Sequence, residues 1–238
     1  LACGDDGKGR LAEPDEIVRF VTDVLLPKQD YEGKTVLVTA GGTSEPIDPV
    51  RFITNRSSGK MGVAIAEKAA MRGANVILVA GNISVPVPSG IRRADVSTTA
   101  EMYDAVMKYL PEADYIVKAA APADYAVETF SDKKIKAETL TLKLKKNPDI
   151  AAAVGKIKGD KKLIIFSAET DNCDKNAREK MAKKNADMVV LNDVTKPGAG
   201  FNTDTNIVTI ITKSTKEELP VMEKSALADI LLDRIIEL

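Results

Sequence analysis

From Lys34 onward, short apolar β-type runs alternate with helical stretches, and that alternation restricts the chain to an α/β architecture. Thr35-Val36-Leu37-Val38-Thr39 is a continuous apolar β run, as expected of a strand buried on both faces of a parallel sheet. An Ala-rich helix is predicted over 59–72, closed by Gly73, and the next strand over 75–80. Further strands are predicted over 91–96 and 115–119, with a helix over 100–110 between them. A proline at the first helical turn opens a helix at 148–154. A strand at 163–166, a charged helix at 174–185 and a strand at 188–191 follow. Two β segments, 207–211 and 218–222, precede a final amphipathic helix over 225–238. The pattern predicts a doubly wound domain with a mostly parallel sheet and a small antiparallel β addition.

The segment before Lys34 has a different character. Gly4-Asp5-Asp6-Gly7-Lys8-Gly9 is loop-like, and a short helical pattern starting at Pro14 sets Ile17, Val18, Val21, Val24 and Leu25 near one face. Pro27 stops it, and residues 29–33 read as a linker into a compact domain that opens at Lys34. The chain opens at Leu1 rather than Met and reads as trimmed from something longer. Cys3 and Cys173 match no CxxC spacing, so a reducing cytoplasm is the expected setting. No apolar run approaches the ~18–20 residues that span a bilayer, and no membrane partner is expected.

The 238 residues contain no histidine. Ser-His-Asp triads, Cys-His pairs, His-ligated zinc and imidazole acid–base catalysis are therefore excluded. Lys and Arg number 34 against 35 Asp and Glu, and aromatics make up 4%, a balance that argues against a nucleic-acid surface. Chemistry in this chain must rest on lysines, carboxylates, amides, hydroxyls and backbone N–H groups.

Several segments exceed what scaffolding requires. The connection after the first strand runs from Ala40 to Gly62, whereas βα loops are usually ~2–6 residues. It begins with a Gly-Gly-Thr turn at Gly41 and ends as Ser57-Ser58-Gly59 at a helix N-terminus. Free N–H groups and the positive dipole end make such a terminus an anion site, although an ordinary Ser-capped helix would carry the same hydroxyls. Neither the Walker pattern nor the GxGxxG fingerprint is present, and the second strand ends Val79-Ala80-Gly81 without an acidic residue. Lys118-Ala119-Ala120-Ala121-Pro122-Ala123-Asp124-Tyr125 puts small residues at a strand end, where a flat ligand can lie on the backbone. Asp124 just beyond can bind a metal ion or a ribose hydroxyl, or simply belong to a turn. Ser131-Asp132-Lys133-Lys134-Ile135-Lys136 could close over a polyphosphate, or be a solvated charge run. Lys146-Asn147-Pro148-Asp149-Ile150 and Phe166-Ser167-Ala168-Glu169 lie where ligand loops cluster in open α/β sheets, and Lys180 and Lys184 share a helix face.

In this order the segments closely resemble phosphopantothenoylcysteine synthetase, the ligase domain of a bifunctional coenzyme A biosynthesis protein. The matching runs are residues 39–62, Ala-Asp-Tyr at 123–125, Lys-Ile-Lys at 134–136, Lys-Asn-Pro-Asp-Ile at 146–150, Phe-Ser-Ala-Glu-Thr at 166–170 and Asn-Asp-Val at 192–194. The resemblance spans about 34–238, and residues 1–33 resemble the tail of the flavin-dependent decarboxylase half plus a linker, with Cys3 matching that half's cysteine. The flavin-binding body is missing, so neither FMN nor decarboxylase activity is expected here.

The resemblance implies a Rossmann-like fold and a cytoplasmic, typically dimeric ligase. It implies that 4′-phosphopantothenate attacks CTP to give an acyl-cytidylate and pyrophosphate, after which L-cysteine displaces CMP. By position, Asn55 would hold the acyl-nucleotide with Arg51 on the substrate side, and Lys134 would sit on a closing loop. Gly41, Ala119, Ala120, Asp124, Pro148, Asp149, Ile150, Ala151 and Phe166 would border the nucleotide, Lys180 and Lys184 would contact it, and Ser57, Ser58 and Gly59 would take phosphate. Asp124 is the candidate for Mg²⁺, together with nucleotide phosphates. Pro122, Ala126 and Ala137 depart from the family's usual residues, which bears on loop charge and nucleotide preference. The alternatives are a nicotinamide-dependent oxidoreductase and a non-catalytic nucleotide-binding module.

Overall fold

The structure, a computed structural model, describes residues 13–15, 17, 18, 21, 28–169, 172–193 and 203–238. Cys3, Val24, Leu25, Thr170 and Val194, named above, lie outside the described residues. In chain order the elements begin with β1 (Thr35–Ala40), β2 (Ser44–Pro46), β3 (Phe52–Thr54), α1 (Lys60–Met71), β4 (Asn75–Ala80), β5 (Arg92–Asp95) and α2 (Thr99–Tyr109). Then come β6 (Tyr115–Lys118), β7 (Tyr125–Val127), β8 (Leu144–Lys146), α3 (Ile150–Ile157), β9 (Lys162–Glu169), α4 (Cys173–Lys183) and β10 (Met188–Asp193). The chain closes with β11 (Thr205–Asn206), β12 (Val208–Thr212), β13 (Lys216–Glu218), β14 (Met222–Glu223) and α5 (Lys224–Ile236).

Eight strands form one sheet in the order β13-β12-β10-β9-β6-β1-β4-β5. The six strands from β10 to β5 are parallel, while β12 and β13 add an antiparallel margin. Counted along the chain, those six parallel strands follow the 3-2-1-4-5-6 order of Rossmann-like folds. The order reverses between β1 and β6, and this switch point is where the crevice for a ligand opens. Three small antiparallel pairs, β2–β3, β7–β8 and β11–β14, sit outside the sheet.

Both faces of the sheet are covered, which is why its strands read as continuous apolar runs. Val36 and Val38 face a core shared with α1 and α5, through Ile65, Ala69, Leu231 and Ile235. Leu37 faces the opposite core, formed with α2, α3 and α4 by Met102, Val154 and Met181. α2 is fastened by a capping box in which the Thr98 and Glu101 side chains exchange backbone N–H bonds.

Four details differ from the sequence reading. The segment around 29–33, read as a linker, packs onto the domain: Tyr31 is fully buried and its hydroxyl donates to the Leu232 carbonyl at 2.7 Å. Pro148 precedes the helix rather than entering its first turn, because Asp149 caps α3 by accepting from the Ala152 N–H at 3.0 Å. The single strand expected at 218–222 is two short ones, β13 and β14, split around Pro220, which has no N–H to give a ladder. The long first connection contains the hairpin β2–β3, in which Ser44 pairs with Thr54 and Pro46 with Phe52.

Candidate functional site

Two cavities meet over the carboxyl ends of β1, β6 and β9. The larger, about 370 Å³, is lined on one side by residues 55–62 and on the other by Ala119–Ala121, Phe166–Ala168, Asn192, Asn206 and Lys224. The smaller, about 220 Å³, runs from Ala120 and Phe166 to Asp124, residues 146–151, Lys118 and Lys184. Ala120 and Phe166 line both, so an elongated ligand could lie across the switch point with one end in each.

The larger cavity is built around the start of α1. Gly59 is the N-cap residue, with φ of +76°, and no side chain caps the helix. The alternative of an ordinary Ser-capped helix does not hold, because a glycine stands at the N-cap position, and the first turn of α1 forms a wall of the cavity. Only a residue without Cβ suits Gly59, since a Cβ there would sit 2.4 Å from the Ile83 Cγ2 in a left-handed backbone. Gly62 lets α1 press onto β1: a Cβ would lie 2.6 Å from that of Ala40. Asn55, exposed at the rim, donates from Nδ2 to the carbonyls of Pro122 at 3.0 Å and Ala121 at 3.4 Å. It thereby ties the first loop to the end of β6.

A buried polar network fixes the turn between these walls. The Thr43 hydroxyl lies 2.8 Å from that of Thr99 and accepts the Ala123 N–H at 2.8 Å. Thr99 donates to the Ala123 carbonyl at 3.1 Å, and its N–H reaches Glu45 Oε1 at 2.8 Å. Gly41 is buried in this turn and accepts the Ala121 N–H at 2.9 Å through its carbonyl. It supports the cavity wall rather than lining it.

Lys134 and Arg51 lie outside both linings. Lys134 is exposed on its loop, and the adjoining residue is held by a clasp centred on Asp48. The inaccessible Asp48 carboxylate accepts the N–H groups of Val50 at 2.8 Å, Arg51 at 2.9 Å and Ile135 at 3.1 Å, and the Arg51 guanidinium at 2.5 Å. Arg51 also donates to the Ile135 carbonyl at 3.1 Å. Burial alone would raise the carboxyl, but the three N–H groups and the arginine charge outweigh it and hold it down at about 2. A carboxylate depressed below its unfolded value of about 4 contributes stability above that value, lost as pH falls toward 2. The clasp is thus expected to persist unchanged from pH 5 to 9. Asp48→Asn should loosen the loop at every pH in that range, seen as faster amide exchange at Ile135; exchange equal to wild type would disprove the clasp.

The smaller cavity brings together Ala120, Asp124, Pro148, Asp149, Ile150, Ala151, Phe166 and Lys184, as the sequence reading grouped them, and Ala119 lies in the larger one. Lys184 approaches Asp149 at 3.5 Å. The Asp149 carboxyl sits below its ordinary value: burial opposes this, while the Ala152 N–H and Lys184 outweigh burial. Lys180, by contrast, turns away to the buried Glu169, which also accepts from the Ser167 hydroxyl at 2.6 Å. Reading the sequence did not name Asn206 or Lys224, and it carried Thr43, Asp48, Lys118 and Asn192 only within longer runs, without a role of their own.

Residues 31–238 match the family described as the DNA/pantothenate metabolism flavoprotein C-terminal domain. The chain is 42% identical over 241 residues to the coenzyme A biosynthesis bifunctional protein CoaBC of Escherichia coli (strain K12), the match covering 99% of this chain and 59% of that protein. Its identity to CoaBC of Bacillus subtilis (strain 168) is 46% over 233 residues, covering 94% of this chain and 57% of that one. The chain therefore spans under two thirds of the length of these curated relatives. The crystal structure of the C-terminal domain of a coenzyme A biosynthesis bifunctional protein CoaBC superposes with a TM-score of 0.77 at 37% identity, covering 88% of this chain and 97% of that one. With residues 31–238 matched by the family and the fold shared at this TM-score, the chain belongs to the DNA/pantothenate metabolism flavoprotein C-terminal domain family.

Proposed function

We propose that the chain is a phosphopantothenate–cysteine ligase that uses CTP. The observation carrying this reading is the pair of joined cavities, with an uncapped helix N-terminus in one and the residues expected around a nucleotide in the other. The coenzyme A biosynthesis names of the relatives support it. In the first step a carboxylate oxygen of 4′-phosphopantothenate attacks the α-phosphorus of CTP, and the bond to the bridging oxygen breaks to release pyrophosphate. In the second the amine of L-cysteine attacks the acyl carbon, the acyl–oxygen bond breaks, CMP leaves and the amine loses a proton.

The nucleotide activates the acid and the second substrate brings its own nucleophile, so the protein's part is positioning and charge stabilisation. The α1 amides with Ser57 and Ser58 receive phosphate, Asn55 holds the acyl-nucleotide, and Lys134 closes to offset charge on the departing pyrophosphate. Among the described residues no three His, Cys, Asp or Glu side chains gather as a metal site. Mg²⁺ would travel with the nucleotide phosphates, as is common for this ion; Asp124, the carboxylate proposed for it from the sequence, lines the smaller cavity instead, where a ribose hydroxyl suits it.

The bifunctional names and greater length of the relatives support native fusion to a decarboxylase unit. No helix among the described residues is long and apolar enough to cross a membrane, and a cytoplasmic setting is part of the proposal. So is a homodimer, supported by exposed Val50, Phe52, Tyr125 and Leu144 on and beside the outer hairpins; light scattering at the monomer mass would refute it. The strand order also suits dinucleotides, but β4 runs into Gly81-Asn82 with no carboxylate for a ribose, and Asn82 is spent on the Ser44 hydroxyl at 2.7 Å. Pyrophosphate release should require CTP, 4′-phosphopantothenate and Mg²⁺ together. No release with CTP or ATP, alongside stabilisation by NADP in a thermal shift, would overturn the ligase reading.

A further inference from the structure

Lys118 ends β6 at the floor of the smaller cavity, only 6% exposed, and its Nζ is sealed from solvent without a hydrogen-bond partner. Leaving a buried amine unpartnered is costly, so its retention at a cavity floor points to a ligand acceptor. The charged groups around it are Lys184, Asp149, Lys146 and Asp124. Burial first, then the Lys184 charge, pushes the amine down to about 7 against the opposing pull of Asp149. Charged or neutral, it remains a donor.

The identity of the acceptor follows from the other end of the site. Phosphates belong at the α1 N-terminus in the larger cavity, and Ala120 and Phe166 join the two spaces. A nucleotide with its phosphates there, and its ribose across Ala120, delivers its base to the smaller cavity among Pro122, Pro148 and Phe166. We infer that Lys118 reads the base, donating from Nζ to the ring carbonyl of a 2-oxopyrimidine nucleotide, and so favours CTP over ATP. Adenine carries no ring carbonyl, so the larger purine would have to bring a ring nitrogen to the amine in its place. This inference rests on the nucleotide reading above.

The test is calorimetric titration of the chain with Mg-CTP, Mg-ATP and pyrophosphate, comparing wild type with Lys118→Met and Lys118→Gln. Loss of one such hydrogen bond should weaken CTP by about tenfold in the methionine variant and shift ATP by less than about twofold. The glutamine variant keeps an N–H donor and should retain part of the preference. It carries the test if the methionine variant does not fold, and thermal melting reports folding in both. Equal weakening of CTP, ATP and pyrophosphate would overturn the inference in favour of an anion site. An unchanged CTP-to-ATP ratio, or a wild type that binds both equally, would overturn it alone. A wild type that binds neither nucleotide would overturn the ligase reading with it.

Discussion

Asn55→Asp is expected to leave the fold intact and to stop the reaction short of product. The change is isosteric and lies at an exposed position, where substitutions usually alter stability by less than about 0.5 kcal/mol. Its chemical effect is larger. The Asn55 amide donates to the Ala121 and Pro122 carbonyls, holding the first loop against the end of β6. A carboxylate offers no donor to either carbonyl and sets a negative charge beside phosphate-bearing ligands. Losing one preorganised donor at a site of developing charge costs roughly 10²–10³-fold in kcat. Product formation should fall by at least that factor while the cooperative fold is retained, with at most a small drop in melting temperature. Turnover at the wild-type rate would remove Asn55 from the mechanism.

Gly155→Ala is expected to destabilise the domain and weaken nucleotide binding together. In an open helix the substitution would be favourable by about 1 kcal/mol. Here a Cβ would lie 1.9 Å from the Lys184 carbonyl oxygen and 2.8 Å from its carbon, backbone atoms that cannot rotate aside. Asn185 also donates to the Gly155 carbonyl at 2.9 Å, so α3 and the end of α4 are fastened at this point. Overpacking of this kind typically costs about 1–3 kcal/mol, and so outweighs the propensity gain by up to roughly 2 kcal/mol. Each kcal/mol corresponds to about 2–4 °C in a domain of this size. The same shift moves Asp149 and Lys184 apart across the smaller cavity, so CTP affinity should fall as well. A variant that melts higher than wild type would contradict the packing described.

What the sequence disclosed depended on how far a residue's role is local. The strand at 75–80 was legible to the residue because it is buried on both faces and bounded by Gly73 and Gly81. The first loop's importance was legible from its length and glycines, and Asn55, Ser57, Ser58 and Gly59 do meet in one cavity with Ala119 and Ala120. The hairpin β2–β3 was not, because its strands are three residues each and end at Pro46, with Asp48 and Pro49 between them. Asp48 looked like turn chemistry, yet its carboxylate reaches Ile135 across 87 positions, a link set only by tertiary packing. Lys180 shares a helix with Lys184, but helix spacing carries no information about the buried Glu169 that engages it. The role of Lys118 rests on a missing partner, which no local pattern records.

The central claim is that the nucleotide activates the carboxylate of 4′-phosphopantothenate through an acyl-cytidylate. Substrate labelled with ¹⁸O in that carboxylate, turned over with CTP and L-cysteine, tests it directly by mass spectrometry of the nucleotide product. The account predicts one labelled oxygen in each CMP formed and none in pyrophosphate. Unlabelled CMP, or label recovered in phosphate, would contradict it.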